Sequence, residues 1–240
     1  MDIFLDIALS LATLTILEVV LGIDNLVFLA IISHKLPKHQ QKRARKIGLT
    51  LAWVTRLMLL ASAIWITKLT YPLFSVAGQD FSGRDLFLMA GGLFLITKAT
   101  QEIHAELEAE IPTSDEIKQI SPKKGASFGM VITQIAILDI IFSLDSVLTA
   151  IGLTQRFWLM AVAITIAIIA MMFASEFLSR FVERHPTIKM LALSFLILIG
   201  MVLIADSFQT HVPRGYIYFA MGFSLFIESL NMLKRKRRRS

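Results

Sequence analysis

The chain has 240 residues, of which 55% are apolar and 18% charged, and it carries a net charge of +6. A mean hydropathy of +0.68 excludes an ordinary soluble domain and points to a polytopic membrane protein. There is no cysteine, which excludes disulfides and thiolate metal sites, and the eleven methionines are scattered, as packing or lipid-facing residues are and a copper path is not.

Seven apolar segments of spanning length follow one another, at about 4–32, 47–69, 85–103, 126–151, 157–181, 188–208 and 215–233. The first opens with Asp2 and Asp6 where a cleavable signal peptide would carry bases, and it exceeds the length of a signal-peptide apolar core, so it reads as a span. It contains Glu18-Val-Val-Leu-Gly-Ile-Asp24-Asn25. The second carries Arg56 in its inner half, and the third carries Lys98. The third runs into an acidic stretch, Glu102–Glu116, in which Glu102, Glu106 and Glu110 fall on one helical face; this predicts a solvated helix extension rather than a metal sensor. The fourth contains Asp139-Ile-Ile-Phe-Ser-Leu-Asp145-Ser146, the sixth ends near Asp206, and the seventh holds Glu228 before a basic tail at 234–240. All six prolines, from Pro37 to Pro213, lie in the expected connections. His104 and His211 stand at span ends and read as interfacial.

The bases are distributed unevenly. Eighteen of the 24 Lys and Arg lie in connections 1–2, 3–4 and 5–6 and in the tail, against four on the opposite side. The positive-inside rule then places the N-terminus outside and the C-terminus in the cytoplasm, with an odd number of spans. The same distribution argues against nucleic acid as a partner: the basic tail reads as an anchor beside anionic lipid. The predicted fold is therefore all-α, a bundle of seven transmembrane helices forming one membrane domain over residues 1–240.

An internal repeat organises the bundle. Glu18 aligns with Asp139 and Asp24 with Asp145, both at an offset of 121. Spans 2 and 3 then correspond to 5 and 6, and Gly92 and Gly200 each stand six residues before a charged residue, Lys98 and Asp206. The repeat unit is three spans, about 4–103 and 126–208, and an odd number inverts the second copy, as in many secondary transporters. Inversion pairs Glu18 with Asp145, and Asp24 with Asp139, at equal depth. The two levels lie about 9 Å apart, and six residues rotate a helix by about 240°. On an unbroken helix Glu18 and Asn25 share a face while Glu18 and Asp24 do not, so Gly22 is the expected place for a kink or unwound turn, with a milder break at Ser143. Lys98 and Asp206 stand at opposite ends by this topology, which leaves Glu228 as the better partner for Lys98. Arg56 either neutralises one of the site carboxylates or pairs structurally.

A carboxylate in hydrocarbon costs about 2.5–3.5 kcal/mol even on a lenient scale, so four at matching positions indicate a cation site near the midplane. The ligand types are carboxylate, amide and hydroxyl, which suit hard divalent cations such as manganese, calcium or magnesium. Outward movement of a divalent ion against an inside-negative potential costs about 4.6 kcal/mol per 100 mV. No phosphate-binding GxxxxGK[ST] motif is present, so proton antiport is the expected drive. No resident cofactor is expected; the partners are the bilayer, the transported metal and protons, with a homodimer left open.

These strings resemble the paired signatures of the TerC family: Glu18-x-x-Leu21-Gly22-Ile23-Asp24-Asn25 and Asp139-Ile-Ile-Phe142-Ser143-Leu144-Asp145-Ser146, together with Leu193-Ser-Phe-Leu-Ile-Leu-Ile-Gly200 and the segment from Pro213 to Met221. The likeness covers essentially the whole chain and is greatest to short members without a CBS pair. It implies a bacterial inner-membrane protein that transports divalent metal, with manganese export as the activity. It also implies metal-ligand roles for Glu18, Asp24, Asn25, Asp139, Asp145 and Ser146, and without the CBS pair it carries no expectation of adenine-nucleotide sensing. Two other classes stay open. An intramembrane aspartyl protease also uses two membrane aspartates, but here Gly-Ile-Asp replaces Gly-x-Gly-Asp. A non-transporting assembly protein would use the same acids structurally.

Overall fold

The structure, a computed structural model, describes residues 2–62, 70–76, 78–109, 127–153 and 156–237; of Asp145 and Ser146 it describes the backbone alone. Expectations for Lys68, Glu110, Lys118, Lys123, Lys124 and the tail beyond Arg237 lie outside the described residues. The helices are α1 (Asp2–Ser33), α2 (Lys38–Ala61), α3 (Gly83–Ala109), α4 (Phe128–Leu153), α5 (Phe157–Arg184), α6 (Pro186–Ser207) and α7 (Arg214–Arg237). The protein is an all-α polytopic membrane protein. Among the described residues five helices are long and apolar enough to cross a bilayer by themselves: α1, α3, α5, α6 and α7. Helix α2 starts nine residues earlier than its apolar run, at Lys38, and residues 63–69 of its expected span lie outside the described chain. Within α4 the stretch Phe128–Leu144 is apolar but shorter.

The chain divides into two compact units. The first comprises residues 1–71 and 122–181, hence α1, α2, α4 and α5 through Phe181. The second comprises 72–121 and 182–240, hence α3, α6 and α7. Each unit takes corresponding spans from both halves of the repeat: 1 and 2 with 4 and 5 in the first, 3 with 6 in the second.

In the first unit α2 packs extensively on α4, and α1 packs on α4 and α2. Leu26, Phe28, Leu29, Ile31 and Ile32 of α1 are buried, as are Leu138, Ile141, Leu144 and Val147 of α4. Helix α1 is continuous through Gly22, which corrects the expected break there: a continuous apolar run keeps every backbone amide paired, as hydrocarbon demands. Gly22 instead makes room for Met171, whose Sδ would lie 2.7 Å from an added Cβ. Helix α4 likewise runs unbroken through Ser143, whose hydroxyl donates to the Asp139 carbonyl one turn back. Trp53 Nε1 donates to Thr165 Oγ1 at 3.1 Å and ties α2 to α5.

In the second unit α3 and α6 form the most extensive helix pair among the described residues. Its register is antiparallel: an added Cβ at Gly92 meets Ile204, and one at Gly200 meets Ile96. Residues 92 and 96 thus correspond to 200 and 204 across this pair, at an offset of 108, the one that also aligns Lys98 with Asp206. The backbones touch, with the Gly200 carbonyl oxygen 2.5 Å from the Cβ position of Gly92.

A hairpin that sequence reasoning took for a simple connection precedes α3. Strands β1 (Pro72–Val76) and β2 (Gln79–Ser82) pair antiparallel, with Phe74 opposite Phe81 and Ser75 opposite Asp80. Gly78 supplies the positive φ of 83° that the tight turn needs. A reciprocal capping box starts α3: the Ser82 amide donates to Asp85 Oδ2 at 2.9 Å, and the Asp85 amide donates to Ser82 Oγ at 3.3 Å. The hairpin is held to the end of α6, where Gln209 donates to the Asp80 carbonyl at 2.6 Å and Phe208 meets Phe81 edge-on.

Candidate functional site

The seven-residue step from Glu18 to Asn25 on a continuous helix decides which α1 side chains face inward. Glu18 and Asn25 are both buried, while Asp24, off their common face, is half-buried. Helix α4 brings Asp139 to the same place, and α2 contributes Thr55 and Arg56. Glu18, Arg56 and Asp139 are 2%, 2% and 1% exposed, so this is a charge cluster removed from solvent.

Arg56 takes both carboxylates. Its NH1 donates to Glu18 Oε2 at 2.9 Å and its NH2 to Asp139 Oδ1 at 3.3 Å. Asp139 is further held by Asn25 Nδ2 at 2.6 Å on Oδ1 and by the Thr55 hydroxyl at 2.8 Å on Oδ2. The two alternatives for Arg56, neutralising a site carboxylate or pairing structurally, therefore describe the same contact. Thr55 was not singled out from sequence; its signal is a hydroxyl beside the arginine of an apolar run.

The satisfaction of this cluster is uneven. Asp139 accepts three donors, whereas Glu18 Oε1 is buried and accepts none among the described residues. Arg56 Nε and Thr15 Oγ1, three residues before Glu18 on α1, are also buried without a hydrogen-bond partner among the described residues. With all groups ionised, two carboxylates share one guanidinium, leaving one negative charge. A buried charge of that kind is costly unless a cation, a proton or water meets it.

The remaining expected residues separate from this cluster. The side chains of Asp145 and Ser146 lie outside the described ones, and no group of three or more His, Asp or Glu close enough to hold a metal occurs among the described residues. The expected Lys98–Glu228 pairing is not formed: Lys98 Nζ reaches Gln101 on its own helix at 3.3 Å, because one turn of α3 offers an amide oxygen without crossing to another helix. Glu228 accepts from Asn231 at 3.4 Å. Asp206 accepts from the Val212 amide at 3.4 Å and faces His211 at 3.5 Å, closing the end of α6 rather than meeting Lys98. His104 pairs with Glu108 at 3.0 Å on the exposed side of α3. The acidic stretch is helical to Ala109 as expected but not solvated throughout: Glu102 is buried and Glu106 pairs with Lys189 of α6.

An all-α membrane protein with a buried acid–arginine cluster inside one of its helix units is the class that fold and site define. The chain matches the family described as integral membrane protein TerC over residues 4–240, and it belongs to that family. It is 54% identical over 229 residues to the UPF0053 inner membrane protein YgdQ of Escherichia coli K12, covering 95% of this chain and 94% of that protein. A UPF0053 protein of Haemophilus influenzae is 49% identical over 228 residues, with the same coverage of 95% and 94%. The inner membrane protein YoaE of Escherichia coli K12 is 49% identical over 227 residues, which are 95% of this chain but 43% of that protein. No solved structure matches the chain. It is accordingly a multi-pass inner-membrane protein.

Proposed function

We propose that this protein exports a divalent cation, manganese foremost, in exchange for protons, with its N-terminus outside and its C-terminus in the cytoplasm. The observation that carries the reading is the uneven cluster at Glu18, Arg56 and Asp139: a buried carboxylate oxygen without a donor, beside a net negative charge. Such a place favours either a proton or a hard cation, which is what exchange of the two requires. Asp24 stands next to Asn25, and Asp145 and Ser146 lie six and seven residues beyond Asp139 on α4; these three are assigned to complete the oxygen shell. Arg56 then holds the carboxylates together when the cation is absent.

The test is manganese flux into liposomes containing the purified protein, with an imposed pH gradient. Flux is expected to follow the gradient, and Asp24→Asn or Asp145→Asn, by removing a ligand, to lower it about tenfold or more. Flux indifferent to both would defeat the proposal.

One observation favours a second reading. Asp139 is fully met by protein donors, as it would be if the cluster only fastened α1, α2 and α4 together. A non-transporting assembly protein of that kind would show no metal-dependent flux in the same liposomes while keeping its fold.

A further inference from the structure

A cleft of about 430 Å³ lies between α2 and α5, inside the first unit and apart from the buried acids. Lys42, Arg45, Lys46 and Leu49 of α2 line one wall at helical spacing, and Ile169, Met172, Phe173 and Glu176 of α5 line the other. Both walls change character at the same level. On α2 the charged run from Lys38 to Lys46 gives way to Ile47 and the apolar segment; on α5 the apolar run ends at Ser175 and Glu176. The cleft is therefore cationic at one end and apolar at the other.

Its polar end is a built structure. Arg45 is 7% exposed and its NH1 donates to Ser179 Oγ at 3.1 Å. Ser179 Oγ lies 3.0 Å from His34 Nε2, so the end of α1 is joined to the same node. Glu176 is the one acid on the lining; Lys42 at 3.4 Å and Arg180 at 3.9 Å offset it, and the lining keeps a net charge of about +2 by formal count. At the other end Phe173 is 82% exposed on a helix long enough to cross the bilayer, so that end opens toward acyl chains. Three cations exclude a metal ion, and the apolar half adds nothing for a free inorganic anion.

We propose that this cleft binds the phosphate headgroup of an anionic phospholipid, with its acyl chains along Met172 and Phe173. Lys42 and Lys46 reach the phosphate from the rim, and Arg45, held by Ser179, forms the floor. Basic clefts between membrane helices at headgroup depth have the chemistry for this. The lipid bridges α2 and α5 beside the Arg45–Ser179 hydrogen bond.

The test is native mass spectrometry of the purified full-length chain, exchanged between phosphatidylglycerol and phosphatidylcholine. Wild type is expected to retain phosphatidylglycerol preferentially. Lys42→Gln with Lys46→Gln is expected to weaken that retention about ten- to thirty-fold, at roughly 1 kcal/mol for each charge near the surface. Lys42→Arg with Lys46→Arg should keep it, as should Lys234→Gln with Lys236→Gln, which removes equal charge from residues that do not line the cleft. Inorganic phosphate should not displace the lipid. The proposal fails if wild type shows no preference, if the tail pair loses retention equally, or if phosphate alone empties the cleft.

Discussion

Arg56→Ala is expected to destabilise the protein by about 3–5 kcal/mol, the usual loss when one partner of a buried ion pair is removed. Among the described residues the guanidinium is the one group that hydrogen-bonds both Glu18 and Asp139, and both acids are almost wholly buried. Without it two carboxylates face one another in hydrocarbon, and only Asp139 keeps neutral donors, from Asn25 and Thr55. The measurement is the unfolding midpoint of purified protein in detergent. Arg56→Lys should fall between, because an ammonium cannot span both acids with a planar fork. Adding Glu18→Gln to Arg56→Ala should restore part of the loss, since it removes the charge left without a donor; strict additivity of the two would mean that they do not interact.

Gly92→Ala is the second large effect, at about 1–3 kcal/mol from overpacking. A methyl group there would lie 2.5 Å from the Gly200 carbonyl oxygen and 2.7 Å from Ile204, so α3 and α6 must separate. Gly200→Ala meets the Gly92 carbonyl oxygen at 2.9 Å and should act similarly. Gly22→Ala offers a control: its near neighbour is the flexible end of Met171, which can turn aside. Thermal midpoints of the three variants should rank with Gly22→Ala nearest wild type. Equal losses would mean that the close backbone approach contributes nothing particular.

What the sequence made legible and what it hid follow from physical range. Length and apolarity reveal helices in lipid because every backbone group must be paired within the segment, and all seven expected spans coincide with described helices over most of their length. The seven-residue step from Glu18 to Asn25 correctly foretold their common face. It was wrong to seek a break at Gly22, because a glycine in a helix serves close packing as readily as bending, and only the position of Met171 distinguishes the two. The hairpin at 72–82 escaped notice since its strands are four and five residues long and sit between stronger apolar signals. Thr55 and the double role of Arg56 depend on how α2 is rotated against α4, which no local pattern encodes. Lys98 was assigned by depth alone, and a neighbour one turn away outcompeted a distant acid.

The vacant oxygen of Glu18 makes manganese titration the most direct measurement. Isothermal titration into the purified protein, repeated in buffers of different ionisation enthalpy, reports both metal binding and the protons it releases. A saturable site that expels protons, weakened in Glu18→Gln and lost in Asp24→Asn with Asp145→Asn, is the predicted result. A folded wild-type protein that takes up no manganese, or binds it without proton release and undiminished by these substitutions, would contradict cation–proton exchange at this cluster.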